Sequence, residues 1–306
     1  MHRVQCSSCY NRAVNIECKG PFDLQLSWSM LSAFPGQSAG VIGEMAMWWE
    51  EKPTVVLMRQ VDLDPPTVEV LAEPKPGQRK LFGQRMRAVL NADLSLRPFY
   101  KKARGDRRLA AVVKDLEGLK PFRPPDLFQM MVIAITEQQI SKSAAARIRE
   151  RIVTSFGSRA GDLMVFPRPE DLASRTTEEL RSCGLSGRKA EYLIELSNKL
   201  VQGELDPVSW EKMPDEALVQ HLKSHRGIGE WTAEYILVRG MGRLDVVPAS
   251  DLGVRKAVGL YFGGGGNPPP QEVRDILRPW SPWRGLLAFY LLAHHRRSQM
   301  GLDQAK

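Results

Sequence analysis

The chain has 306 residues, enough for two domains, and its 43% hydrophobic and 25% charged content is that of an ordinary globular protein, which sets aside fibrous, low-complexity and multi-spanning classes. The longest apolar run, Gly285 to Ala293, is far too short to cross a bilayer, so a cytoplasmic protein without a membrane is expected. Lysine and arginine outnumber aspartate and glutamate, 43 to 35, and a net charge of +8 favours a polyanionic partner, nucleic acid first.

In chain order, the N-terminus comes first. Its first sixteen residues contain no acid, and a weak transit signal is the alternative to a plain leader. Cys6-x-x-Cys9 is half of a zinc-site spacing, with His2 and Cys18 as further candidate ligands. A structural site needs four ligands, usually as two knuckles, and no second knuckle follows, so the favoured reading is reduced thiols in a leader over residues 1–17 and no metal. Cys183 reads as a small core residue.

Residues 18–82 read as a β-rich domain. "FDLQLSW" alternates Phe22, Leu24, Leu26 and Trp28, the period of a strand. "TVVLMRQV" (54–61) and "TVEVLA" (67–72) are two more strands, with Pro65-Pro66 as the turn between them. "EPKPGQ" (73–78) is a boundary, and residues 83–306 then read as all-helical.

"DLFQMMVIAITEQQI" is apolar almost all round, as a central buried helix would be. Gln138, near its end, needs a partner, either backbone or a base edge. Thr176-x-x-Glu179 is a capping box, and "SGRKAEYLIELSNKL" carries Ala190, Leu193, Ile194 and Leu200 at helical spacing. "DEALVQHLKSHR" (215–226) and "EWTAEYILVRGM" (230–241) are two helices separated by Gly227-Ile228-Gly229. Glycines there allow a tight turn and a close approach of the backbone to another molecule. A plain helical hairpin would need them only to turn. In "DVVPASDLGVRKAVG" (245–259), Pro248 ends an extended piece and Asp251 opens a further helix. "FGGGGNPPPQEV" (262–273) is a connector, since no phosphate-loop lysine follows the glycines.

Hairpin, Gly/Pro-rich loop and aspartate, in this order, resemble the helix-hairpin-helix–Gly/Pro–Asp superfamily of DNA glycosylases, and within it the 3-methyladenine DNA glycosylase II branch. "FQMMVIAITEQQIS", "GLSGRKAEYL" and "RPWSPWRGLLAFYLLAHH" are similar to further helices of that family, so the resemblance covers residues 18–298. It implies an α+β protein, with an N-terminal antiparallel sheet domain and an all-α helix-hairpin-helix domain. It implies a monomeric, monofunctional enzyme of base excision repair that binds double-stranded DNA, flips out a damaged purine such as 3-methyladenine, and hydrolyses its N-glycosidic bond.

By the same resemblance Asp251 is the catalytic carboxylate, Gln139 wedges into the duplex, and the Gly227 and Gly229 N–H groups take phosphates, with Arg226 and Lys223 adding charge. Gln138, Trp231, Tyr290 and Leu292 would form the base pocket. Leu292 stands where the branch often has a stacking tryptophan, with Phe289 and Tyr290 nearby. Trp280, Trp283 and Tyr290 each also read as core, the commoner fate of an aromatic side chain. A monovalent cation at the hairpin carbonyls is a feature of the family. No metal or redox cofactor is needed, because a carboxylate can stabilise an oxocarbenium-like state and orient water. Trp231 replaces the lysine that bifunctional relatives use as nucleophile. The alternatives are a non-catalytic hairpin DNA-binding protein, or a glycosylase/lyase for oxidised or deaminated bases.

Overall fold

The computed structural model describes residues 13–30, 37–38, 43–75, 77–263 and 265–299. Five strands, β1 (Ala13–Glu17), β2 (Gln37–Ser38), β3 (Gly43–Trp49), β4 (Lys52–Leu63) and β5 (Pro66–Leu71), form an antiparallel sheet in the order β1-β5-β4-β3-β2. One helix, α1 (Leu24–Ser29), interrupts them. The helical part follows, so the protein is α+β as expected.

Three sequence readings are corrected here, the first being that residues 83–306 are not all helical, since Ser158–Ala160 and Leu163–Val165 pair as a two-stranded antiparallel hairpin. Residues 13–17, assigned to the leader, form edge strand β1, with Ile16 opposite Val68 and Val14 opposite Val70. "FDLQLSW" is not a strand. Asp23 caps α1 by accepting from the Leu26 N–H at 2.7 Å, and Leu24 and Ser27, one turn apart, are buried. A capping aspartate followed by one turn outweighs an alternation of four apolar residues. Cys6 and Cys9 lie outside the described residues. Cys18 is 1% exposed, and burial pushes its thiol up to about 11, which disfavours the thiolate a metal would need.

Strand β3 carries no alternation because both its faces are covered. Met45, Met47 and Trp49 enter the main core, while Ala46 and Trp48 pack on a small hairpin, β6 (Ser158–Ala160) and β7 (Leu163–Val165). Trp48 Nε1 donates to the Phe166 carbonyl at 2.7 Å, locking that contact.

The helices are α2 (Arg79–Val89), α3 (Arg97–Arg104), α4 (Ala110–Asp115), α5 (Leu127–Glu137) and α6 (Lys142–Phe156) before the small hairpin's end. After it come α7 (Pro169–Ala173), α8 (Thr177–Ser182), α9 (Gly187–Val201), α10 (Asp215–Lys223), α11 (Glu230–Tyr235), α12 (Leu252–Phe262), α13 (Pro270–Leu277) and α14 (Arg284–Gln299). They divide between two apolar clusters. The first joins the sheet to α2 and α5–α11; the second joins α3 and α4 to α12–α14. From Phe128 to Glu137 every residue of α5 is buried, as its unbroken apolar sequence requires. Thr176 and Glu179 form the reciprocal capping box of α8. No described helix is long and apolar enough to cross a membrane.

Candidate DNA-glycosylase site

A cleft of about 1150 Å³ opens where the end of α5, the α10–α11 hairpin and the start of α12 converge. Its walls include Gln138, Gln139, Lys142, Lys223, Gly227, Gly229, Trp231 and Asp251. Segments almost a hundred residues apart meet here because α5 and α11 share the first core cluster.

Asp251 is the N-cap of α12. One carboxylate oxygen accepts from the Val254 N–H at 3.0 Å, and the other accepts from Trp231 Nε1, also at 3.0 Å. Both bonds hold the carboxylate in one orientation at the cleft. The Trp231 indole lies against the Tyr235 ring, with centroids 5.1 Å apart and 20° between planes, so the hydrogen-bond donor is itself braced. Beyond Tyr235 the helix widens into a π-helical segment, Ile236–Met241.

The two hairpin glycines have different reasons to be glycine. Gly227 has φ +83°, and a Cβ built there would lie 2.4 Å from the Tyr192 ring. Its carbonyl accepts from Gln138 Nε2 at 2.7 Å. Gly227 is therefore required by the turn and by the packing beneath it. Gly229 caps α11 with φ −85° and ψ 178°, which any residue adopts, and nothing lies within 4 Å of a built Cβ. Nothing inside the protein asks for glycine at 229. The N–H groups of both residues make no hydrogen bond among the described residues, and both residues line the cleft.

Gln138, expected in the base pocket, lines the cleft and also positions the hairpin. Its amide donates to the Gly227 carbonyl and, at 3.0 Å, to Thr232 Oγ1, tying the end of α5 to the hairpin. Lys189 completes the junction by donating to the carbonyls of Thr136 and Gln138, at 3.0 and 2.6 Å, where α5 ends. The next residue, Gln139, has φ +56°, is exposed, and makes no hydrogen bond among the described residues. A left-handed non-glycine residue at the rim of a cleft is a conformation held by its surroundings, here by the Gln138 anchor.

Tyr290 is a second correction. It is 0% exposed, and its hydroxyl bonds the Leu119 carbonyl at 2.6 Å and the Tyr100 hydroxyl at 2.8 Å, deep in the second cluster. It belongs to the core and not to the cleft. Leu292 does not line the cleft either; it stands behind Gly253, 3.0 Å from where a Cβ would be. Arg226 lies outside the cleft, over the Tyr192 ring and paired with Glu191 and Glu195 at 3.4 Å. Lys223 is at the cleft wall.

Lys142, Glu137 and His225 also line the cleft and were not singled out by sequence. Desolvation, and then the nearby Arg296, lower the Lys142 ammonium to about 8, against the opposing pull of Glu137 and Asp251. Glu137 forms a buried ion pair with Arg149 at 3.2 Å, both side chains at most 4% exposed. His225 is lowered by desolvation and by Lys199. Among the described residues, no group of three or more His, Cys, Asp or Glu is placed to hold a metal ion.

Residues 132–282 match the family model described as HhH-GPD superfamily base excision DNA repair protein. A DNA-3-methyladenine glycosylase from Bacillus subtilis is 30% identical over 203 residues, 65% of this chain and 67% of that protein. DNA-3-methyladenine glycosylase 2 of Escherichia coli is 31% identical over 172 residues, 55% of this chain and 56% of that one. The chain thus aligns with only 56% to 67% of the length of these two curated relatives. The solved 3-methyladenine DNA-glycosylase from Archaeoglobus fulgidus superposes with TM-score 0.81 and 25% identity, over 92% of this chain and 98% of that one. Fold, hairpin-to-aspartate order and sequence matches agree: the chain belongs to the HhH-GPD superfamily of base excision DNA repair proteins.

Proposed function

We propose that the protein is a monofunctional DNA glycosylase that binds duplex DNA, extrudes a damaged purine into the cleft, and hydrolyses its N-glycosidic bond with Asp251. The alkylated purines named for its relatives are the substrate class. The observation that carries this reading is the Asp251 carboxylate, fixed by an indole N–H and a helix N–H in a cleft beside two free backbone N–H groups. A protein that only bound DNA would gain nothing from a carboxylate held facing a polyanion.

Phosphates dock on the Gly227 and Gly229 N–H groups, with Lys223 adding charge. Gln139 enters the gap left by the extruded nucleotide, which offsets an unstacking cost of a few kcal/mol. As the base leaves with the bonding electron pair, positive charge grows on the sugar. Asp251 stabilises that charge and orients the water that attacks C1′. With Trp231 at the hairpin position no lysine is available there to form an imine, so release proceeds through water. Such a protein works as a monomer wherever the DNA is, in the cytoplasm and at the nucleoid of a prokaryote.

The test is Asp251→Asn. Asparagine caps a helix as well as aspartate does, so the fold persists. Base release from single-lesion duplexes, read by alkaline cleavage at abasic sites, should fall by about two to three orders of magnitude, while DNA affinity holds or rises. Full release by the purified variant would remove Asp251 from the mechanism.

A further inference from the structure

Besides Asp251, the cleft is lined by a second carboxylate that the reaction above leaves unused. Glu137, the last residue of α5, lines the cleft with its side chain only 4% exposed. Its Oε1 is buried and has no hydrogen-bond partner among the described residues. Arg149 Nη1 stands 3.2 Å from that oxygen as a counter-charge, but its hydrogen bond goes to Thr136 Oγ1, at 3.3 Å. Glu137 therefore has an ion-pair partner and lacks a donor. Lys142 and Lys223, the cations of the cleft walls, are exposed, so water screens their effect on it. A buried ion pair offsets its desolvation only where further hydrogen bonds satisfy the remaining lone pairs. Here one acceptor is left open on a wall of the cleft, and it calls for a donor from outside the protein.

We propose that Glu137 selects the base: its carboxylate accepts a hydrogen bond from the exocyclic amino group of an extruded adenine-type lesion and attracts the positive charge that N-alkylation gives the ring. The inference rests on the glycosylase reading above and narrows its substrate class. The two carboxylates enter the cleft from different elements, Asp251 from the start of α12 and Glu137 from the end of α5, and they divide the substrate between them. Asp251 serves the sugar, and Glu137 serves the base. A cationic 3-methyladenine offers both an amino N–H and a positive ring, and so completes the Glu137 site. In 1,N6-ethenoadenine the etheno bridge ties N6 to N1 and removes the amino hydrogens, and the ring is neutral. Such a base leaves the carboxylate without its donor and brings lone pairs against it, which is the stronger form of discrimination.

When the C1′–N bond breaks, its electron pair goes to the base, and the cationic purine leaves neutral. The charge attraction thus acts on entry of the base into the cleft, while the amino hydrogen bond persists through the reaction. Both raise kcat/KM for the cationic lesion, and neither replaces Asp251 in stabilising the sugar.

The experiment compares kcat/KM for base release from DNA carrying 3-methyladenine and from duplexes carrying 1,N6-ethenoadenine. The proteins are wild type, Glu137→Gln, and the double variant Glu137→Met with Arg149→Met, each with a thermal melt. Glu137→Gln removes the charge but leaves Arg149 buried without its counter-ion. The double variant replaces the whole pair with apolar side chains of similar length, an exchange that buried ion pairs generally tolerate. Wild type should favour 3-methyladenine, and both variants should lower the ratio of 3-methyladenine to ethenoadenine release by about ten- to a hundredfold, the size expected for a hydrogen bond to a charged group. A purely structural role for Glu137 would lower release of both bases alike. An unchanged ratio in the folded double variant, or equal loss on both lesions, would overturn the selection by Glu137. Failure of the wild type to release either base would instead overturn the glycosylase reading, and this inference with it.

Discussion

The hairpin glycines permit a sharp separation of folding from binding. In Gly229→Ala the added methyl meets open space, and the residue keeps an ordinary extended conformation. Alanine caps a helix less well than glycine, so stability should fall by about 1 kcal/mol. In Gly227→Ala the residue must hold φ +83° against the Tyr192 ring, 2.4 Å from its new methyl. A left-handed alanine costs about 1 kcal/mol and overpacking of this kind about 1–3 kcal/mol, so a loss of about 2–4 kcal/mol is expected. The same methyl at 229 stands where a phosphate should reach the free N–H. Losing one charge-assisted hydrogen bond should weaken duplex binding about tenfold or more. The slope of log K against log salt should become shallower by about one unit if one phosphate contact disappears. Since phosphates carry no lesion information, undamaged and damaged duplexes should be affected alike. The assay is a salt titration of binding to both duplexes beside a thermal melt of each variant. A folded Gly229→Ala protein that binds with unchanged affinity and slope would refute the phosphate role of the hairpin.

Three further outcomes are expected. The wild-type protein should leave no covalent adduct after borohydride treatment on abasic DNA; an adduct mapping to a cleft lysine such as Lys142 or Lys223 would show that release is not purely hydrolytic. Gln138→Leu deprives the Gly227 carbonyl and the Thr232 hydroxyl of their donor, and should cost about 1–3 kcal/mol in denaturant unfolding as well as weakening DNA binding; unchanged values of both would show that the hairpin is held by other contacts. Arg149→Met leaves Glu137 buried and unpaired, and should lower stability by about 3–5 kcal/mol at neutral pH. An unchanged midpoint in denaturant unfolding would show that the pair contributes nothing to stability.

Local signals were legible wherever one residue or one short period decides the outcome. Thr176 and Glu179 close the capping box they spell, Asp251 caps the helix it precedes, and the apolar run of α5 is buried all round. The two strands around Pro65-Pro66 and the α10–α11 hairpin were legible for the same reason. Alternation misled at Phe22 to Trp28, where a single capping aspartate turned the segment into a helix. Strand β3 escaped notice because it is covered on both faces, so it has no alternation to display.

What the tertiary structure alone decided is which side chains share a space. Gln138 and Gly227 are 89 residues apart, and only the packing of α5 against the hairpin brings the amide to the Gly227 carbonyl as a strut for the turn. Tyr290 and Leu292 sit two positions apart on one helix, on faces that periodicity cannot assign to core or cleft without knowing what packs on each. Lys142 and His225 belong to different elements and carry no motif, so nothing in their order along the chain announces that both line the cleft with Asp251. Sequence determines helix caps, turns and apolar faces because those are interactions among near neighbours. Charge accumulated around a cleft comes from distant parts of the chain, and exists only once the core has brought them together.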